Sequence, residues 1–228
     1  MNKKKTNTEE SAFDSVEQAL SKTEQFIEDN KNTLLTVVAV VIAIIGGYVG
    51  AKKAYFEPRA DEAAAEMYVA ERYFAQDSFL LALDGDGQYA GFLEIIDNYG
   101  GTPAANLAQY YTGISFLKTG EYDDAIKHLS KFKSNDRLVS AIATGAIGDA
   151  YSELEEFGKA ASQYEKAAKM NPNDLTSAFY LKKAGLVYEA MEEYSKAVTA
   201  YETIKVEYPN AEEARDIEKY IAAAKVRS

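Results

Sequence analysis

Residues 148–172 read GDAYSELEEFGKAASQYEKAAKMNP, and the spacing of small and aromatic residues in this stretch determines how the chain folds. Counted from Gly148, aromatic residues follow at 3, 9 and 16 positions, an alanine at 12 and a proline at 24. Similar spacing begins at Gly113 and at Gly185, 35 residues earlier and 37 residues later. A period in the thirties is typical of stacked helical hairpins.

The landmarks of the three copies have small, aromatic or turn-forming side chains at equivalent offsets. They are Gly113, Phe116, Gly120, Tyr122 and Ala125; Gly148, Tyr151, Phe157, Ala160, Tyr164 and Pro172; and Gly185, Tyr188, Tyr194, Ala197, Tyr201 and Pro209. We expect the small residues to let the two helices of a hairpin approach closely, while the aromatic side chains fill gaps between hairpins. The pattern resembles the tetratricopeptide repeat, whose unit has about 34 residues. It predicts an all-α solenoid of antiparallel helix pairs.

The three copies predict a repeat domain at residues 60–209. Its predicted repeats are 106–139, 141–172 and 178–209. Residues 60–103 are interpreted as a degenerate first hairpin with Gly91 in the small-residue position, and residues 210–228 as a capping helix with a polar outer face.

The first hairpin carries a non-repetitive insert, DSFLLALDGDGQ, at residues 77–88. Asp84 and Asp86 alternate with glycines and could offer oxygens to calcium. The insert lacks the further oxygen ligands and the distal glutamate of a calcium loop, so a plain turn is the favoured interpretation.

Before the repeats lies an uncharged apolar run at residues 34–51, LLTVVAVVIAIIGGYVGA, which predicts a transmembrane helix. At about 1.5 Å per residue, such a helix is roughly 27 Å long, close to the thickness of the hydrocarbon core. The residues expected to meet lipid and headgroups are Leu34, Val38, Val41, Ile42, Ile45, Tyr48, Lys52 and Lys53.

A cleaved signal peptide and a buried core helix are alternative interpretations of this apolar run. The first fits poorly, because 33 residues, seven of them acidic, precede the run. The second would need a large protein around the run.

The predicted span has a tail at residues 1–33 and a juxtamembrane linker at 52–59. In the tail, Phe13, Val16, Leu20, Thr23, Phe26 and Ile27 recur at helical spacing. This stripe predicts an amphipathic helix that lies at the headgroups or binds a partner. Lysines flank the span almost equally on both sides, so the positive-inside rule does not assign its orientation.

Composition excludes several classes of function. The net charge is −11, and the residues after Lys53 hold 18 Lys and Arg against 29 Asp and Glu, so a basic nucleic-acid footprint is missing. The chain has no cysteine, and His128 is its only histidine. We therefore expect no catalytic triad, no His or Cys metal site, no cofactor, no small-molecule substrate and no enzyme activity. His128 is interpreted as a structural residue.

Solenoids bind proteins through the surface formed by the first helix of each hairpin. On that geometry the candidate binding residues are Tyr110, Ile114, Lys118, Asp149, Glu153, Phe179, Lys182, Leu186 and Glu189. Ordinary packing between helices is the alternative for each residue. Recognition of a peptide's terminal carboxylate is disfavoured, because Asp149 and Glu153 would repel it.

The order of segments adds a family resemblance. A short acidic tail, the approach FIEDNK (26–31), one span, KKAYF (52–56), an alanine-rich helix and a repeat domain together resemble the bacterial ancillary subunit of the Sec translocon. The resemblance implies an inner-membrane protein with a cytoplasmic N-terminus and a periplasmic repeat domain. It also implies translocon subunits, a periplasmic chaperone or exported chains as partners. The alternative is an adaptor that tethers envelope or cytoplasmic machinery without a role in export.

Overall fold

The computed structural model describes the backbone of residues 6–228 and the side chains of residues 24–228. Within this part of the chain the ordered elements are helices, and strand pairing is limited to an isolated bridge between Gly85 and Ala90. The chain forms two compact units, Met1–Glu57 and Pro58–Ser228. The predicted all-α class is confirmed.

The first unit consists of helix α1, Thr6–Ala51, followed by a π-helical turn, Lys52–Phe56. The side chains of Phe13, Val16, Leu20 and Thr23 lie outside the described residues, whereas Phe26 and Ile27 are exposed. One helical run among the described residues is apolar and long enough to cross a bilayer. None of that run is buried, as the 67% exposure of Leu35 illustrates. The structure therefore gives no support to a buried core helix here.

The second unit is a series of helices that pack in order along the chain. They are α2 (Glu57–Ala75), α3 (Phe79–Asp84), α4 (Phe92–Asn98), α5 (Pro103–Thr119), α6 (Tyr122–Lys131), α7 (Arg137–Glu153), α8 (Phe157–Met170), α9 (Thr176–Ala190), α10 (Tyr194–Glu207) and α11 (Ile217–Arg227). Helices α5 and α6, α7 and α8, and α9 and α10 form antiparallel pairs, and each pair packs on the next. This is the predicted solenoid of helix pairs.

Each repeat glycine packs against the second helix of its own hairpin. A methyl group on Gly148 would lie 2.7 Å from the ring of Tyr164, and one on Gly185 would lie 2.2 Å from the ring of Tyr201. Both tyrosines stand 16 positions after their glycine, as Leu129 does after Gly113. This large side chain was expected to fill gaps between hairpins. It instead packs against the glycine of its own hairpin, because that glycine has no Cβ and leaves room for the large side chain.

The turn inside each hairpin places one residue in the left-handed region, always seven positions after the repeat glycine. Gly120, Glu155 and Glu192 have φ of 93°, 58° and 59°. The following amide donates back to the residue at offset 3, as from Glu156 N to the Tyr151 carbonyl at 2.9 Å. This hydrogen bond, from an amide to the carbonyl five residues before it, ends the first helix. The second helix begins two residues after the left-handed residue.

The same turn shows the register of the degenerate first hairpin. Asp77 has φ of 55°, and the amide of Ser78 donates to the Tyr73 carbonyl at 2.9 Å. Seven positions before Asp77 stands Ala70, which is fully buried, as is Ala82 twelve positions after it. The small-residue position is therefore Ala70. Gly91, expected to fill it, is instead the N-cap residue that precedes α4.

The insert of the first hairpin folds as a short helix and a turn. Asp86 Oδ1 accepts hydrogen bonds from the amides of Tyr89 at 2.8 Å and Gln88 at 2.9 Å, and its Oδ2 accepts one from the Tyr73 hydroxyl at 2.8 Å. These bonds, with the Tyr89 amide first, hold the pKa of Asp86 below its usual value. Because its oxygens are engaged in this way, the turn interpretation fits better than the calcium loop.

Prolines follow the ends of two second helices, and a short turn precedes the last helix. Pro172 and Pro209 each stand two residues after the end of the preceding helix, where a proline cannot prolong it. A 3₁₀ turn, Glu212–Asp216, leads into α11, which packs on α10 through Ile217, Ile221 and Ala224. The segment interpreted as one capping helix is thus a short turn followed by a helix.

Candidate protein-binding surface

Helices α5, α7 and α9 are the first members of their hairpins, and they contact one another directly. The surface of these three helices that carries the predicted binding residues is here called the first-helix surface. All of the predicted binding residues stand on these three helices. Their environments divide them into packing residues, ion-paired residues and exposed residues.

Tyr110 and Ile114 are packing residues. Both lie against the buried cluster of Leu129 and Ala143, and the ring of Tyr110 is 5.3 Å from that of Phe132. Burial raises the pKa of the Tyr110 hydroxyl. These two side chains pack α5 against its neighbours, so we assign them to the packing of the fold rather than to binding.

Asp149 is the centre of a polar network that joins two hairpins. Its Oδ1 accepts hydrogen bonds from the hydroxyl of Tyr164 and from Lys183 Nζ, both at 2.7 Å. The Lys183 ammonium also lies 5.0 Å from the centre of the Phe179 ring. Burial, and then the charge of Asp149, raise the pKa of the Tyr164 hydroxyl. Lys183 was not predicted; the Lys182-Lys183 pair in the sequence was the available signal.

Lys182 is held in a similar way at the other side of α9. Its Nζ is 3.3 Å from Asp216 Oδ1 and 4.9 Å from the centre of the Tyr220 ring. A hydrogen bond from Lys219, together with the charge of Lys182, lowers the pKa of Asp216. Both lysines of the pair are therefore neutralised by carboxylates of neighbouring elements.

Glu153 and Glu189 accept hydrogen bonds from phenols instead. The hydroxyl of Tyr122 is 3.3 Å from Glu153, and that of Tyr201 is 2.7 Å from Glu189. Lys118 is exposed and lines a cavity of about 380 Å³ with Tyr122, Asp149 and Glu153. Among the described residues, none of Lys118, Glu153 and Glu189 forms an ion pair.

Phe179 and Leu186 are exposed apolar side chains on α9. They are 41% and 45% accessible, and Leu175 at the start of the helix is 72% accessible. The spacing of four and seven residues puts all three on one side of α9. Leu175 is not among the predicted binding residues, because it precedes the predicted repeat at residues 178–209. Large apolar side chains grouped outside the core are typical of surfaces that bind other molecules.

His128 takes no part in this surface. It is 7% exposed, its Nδ1 is 2.8 Å from Gln109 Oε1, and its ring lies 5.6 Å from that of Phe116. Burial, followed by the charges of Lys127 and Lys131, lowers its pKa. The described residues contain no group of three or more His, Cys, Asp or Glu that could hold a metal ion.

A separate groove of about 520 Å³ lies between the second helices α8 and α10. Its floor is apolar, with Ala168, Leu181 and Ala200, and its rim carries charges of both signs, including Lys169 and Glu207. A second groove of about 380 Å³, lined by Met170 among other residues, lies between α6 and α8.

Solved structures support the repeat fold. A MamA protein has a TM-score of 0.52 at 23% identity, covering 72% of this chain and 91% of its own. A kinesin light chain of Podosopora anserina, described as having nearly identical TPR-like repeats, has a TM-score of 0.53 at 12% identity, covering 74% and 87%. The tetratricopeptide-like fold is thereby confirmed. No curated protein sequence matches this chain. Residues 61–219 match the family described as "T7SS, ESX-1 secretion system protein EccA1, N-terminal domain", and the chain therefore belongs to this family.

Proposed function

We propose that this protein is a membrane-anchored scaffold, accessory to protein export, whose first-helix surface binds a chaperone or an exported chain. The tetratricopeptide-like fold is a protein-binding fold, and the observation that carries the proposal is the row Leu175, Phe179 and Leu186. These side chains remain outside the core although ion pairs on both sides of α9 fix its position. A partner that covers them would remove apolar area from water.

Two features support attachment to a membrane. The apolar run at residues 34–51 is fully helical and exposed, and Lys52 and Lys53 follow it in the π-helical turn. Lysines at this position can extend their ammonium groups toward lipid headgroups. We place the chain in a bacterial inner membrane with a cytoplasmic N-terminus and a periplasmic repeat domain, as the resemblance to the Sec ancillary subunit implies.

The role in export has two sources of support. The matched family is named after a protein of a secretion system, and the segment order resembles that of the Sec ancillary subunit. Translocon subunits, a periplasmic chaperone and exported chains are therefore the proposed partners. The acidic charge of the chain favours partners with basic surfaces over nucleic acid. We assign no catalytic role.

Purification of the full chain in mild detergent after crosslinking in cells tests this function. We expect translocon subunits or a periplasmic chaperone to co-purify, and Leu186→Asp to remove them. Val206→Asp is the matched control, because Val206 is also exposed but lies on α10. Recovery of other machinery with no export component would contradict the export role and support an adaptor. Equal recovery with Leu186→Asp would contradict the surface.

A further inference from the structure

The first-helix surface has an apolar end and an anionic end. Along α9, Leu175 and Phe179 stand near the start of the helix, Leu186 follows, and Glu189 is next to the last residue. At 1.5 Å per residue, Leu175 and Glu189 are separated by about 21 Å along the helix axis. A segment that covers both ends therefore has about 14 residues if it is helical.

The cations of this surface are largely neutralised. Lys182 and Lys183 are held by Asp216 and Asp149. Lys118 forms no ion pair among the described residues; it lies in the last turn of α5, where its charge is favourable, and lines the same cavity as Glu153. An acidic partner would thus find two lysines already engaged.

Two carboxylates at the same end, those of Glu153 and Glu189, also form no ion pair among the described residues. Together with Lys118, the unpaired groups at this end carry one net negative charge. Glu153 is the last residue of α7 and Glu189 lies in the last turn of α9. Both carboxylates accept hydrogen bonds only from phenols in the described part of the chain. The C-terminal end of a helix carries partial negative charge, so each carboxylate stands where a cation would be favoured. A cation bound there would interact favourably with the carboxylate and with the helix end together.

We propose that the segment bound by this surface is an amphipathic helix with a basic end. Its apolar residues contact Leu175, Phe179 and Leu186, and its Lys or Arg side chains lie at Glu153 and Glu189. This inference rests on the proposed function, since it names the chemistry of the partner at the same surface. Charge complementarity at one end also gives the partner a defined direction along α9.

Peptide binding to the full chain in detergent tests the inference. The probe is a labelled helical peptide with leucine or phenylalanine spaced by four and seven residues, followed by two lysines, and matched peptides carry two glutamines or two glutamates instead. Fluorescence anisotropy at low ionic strength should show the lysine peptide binding about tenfold more tightly than the glutamate peptide. High salt should reduce the difference.

Variants then locate the site. The double variant Glu153→Gln and Glu189→Gln should abolish the preference for the lysine peptide and leave the affinity for the glutamine peptide unchanged. Glu212→Gln with Glu213→Gln changes the net charge equally at the 3₁₀ turn and should leave the preference intact. Leu186→Ser should weaken the binding of all three peptides. The helical circular dichroism of each variant serves as the control for folding.

The outcomes separate the two claims. Binding that Leu186→Ser weakens, but that does not distinguish lysine from glutamate, overturns the basic partner and leaves the binding surface in place. Failure of all peptides to bind, or binding that Leu186→Ser does not change, overturns both. A preference for lysine that survives the Glu153 and Glu189 substitutions also overturns the inference, because the cations would then lie elsewhere.

Discussion

At the scale of single residues, tyrosine hydroxyls join the two helices of a hairpin. Tyr201 is fully buried against Gly185, and its hydroxyl reaches Glu189 at 2.7 Å. Tyr164 does the same with Asp149. A phenol that donates to a charged carboxylate forms a stronger hydrogen bond than a neutral pair. Position 16 of the repeat therefore provides both packing and a polar link.

Tyr201→Phe is expected to lower the free energy of unfolding by about 1–2 kcal/mol, because the carboxylate of Glu189 loses its donor. Urea unfolding followed by far-ultraviolet circular dichroism measures the change. Tyr68→Phe is the control, since Tyr68 is 60% exposed on α2. Equal effects of the two substitutions would show that the hydroxyl of Tyr201 contributes nothing specific.

His128 gives a second prediction at this scale. Burial lowers its pKa below the usual 6.5, so the unfolded chain binds a proton more readily than the folded chain. Its contribution to stability is therefore complete above about pH 6.5 and is lost as the pH falls below that value. Lys127 and Lys131 disfavour the proton, while Asp124 and Asp97 favour it.

Unfolding of the wild-type chain and of His128→Gln between pH 8 and pH 5 isolates this effect, because carboxylates titrate alike in both proteins. The wild-type chain should lose more stability over this range than the variant. Parallel pH profiles would mean that His128 has the same pKa in the folded and unfolded states.

At the scale of the helical hairpin, the turn residue is a site of strain. Glu155 and Glu192 occupy the left-handed region that Gly120 occupies in the preceding repeat. A side chain in this region costs about 1–2 kcal/mol, part of which glycine recovers. Glu155→Gly should therefore raise the free energy of unfolding by about 0.5–1 kcal/mol.

Thermal or urea unfolding of Glu155→Gly measures this gain, and Ser152→Gly supplies the comparison. Ser152 lies inside α7, where glycine should lower stability by about 0.5–1 kcal/mol. Loss of stability in both variants would show that the turn does not require a left-handed residue.

The hairpins themselves could be predicted from the sequence, because the close approach at Gly148 and the turn seven residues later are local properties of one unit. The register of the first hairpin could not, because Ala70 occupies the position where the other three repeats have a glycine. The pair between Lys183 and Asp149 was also missed. It joins neighbouring hairpins, and its geometry depends on how they stack.

At the scale of the whole molecule, the segment before the repeats would determine where the proposed binding surface acts. The chain belongs to a family whose matched region is residues 61–219, so the apolar run at residues 34–51 lies outside the shared part. The same repeat fold could act in any compartment. Attachment to a membrane would restrict the first-helix surface to partners that come close to a bilayer.

Ile42→Lys tests this attachment directly. Ile42 is in the middle of the apolar run and is 64% exposed, and a lysine at the centre of a membrane helix costs about 3 kcal/mol. We expect the wild-type chain to resist extraction from membranes by alkaline carbonate and the variant to be extracted, whereas Val206→Lys on α10 should behave as the wild type. If the repeat domain faces the periplasm, as we propose, protease added to cells with a permeable outer membrane should digest it. A wild-type chain that carbonate extracts freely would refute the anchor, and a protected repeat domain would reverse the proposed orientation.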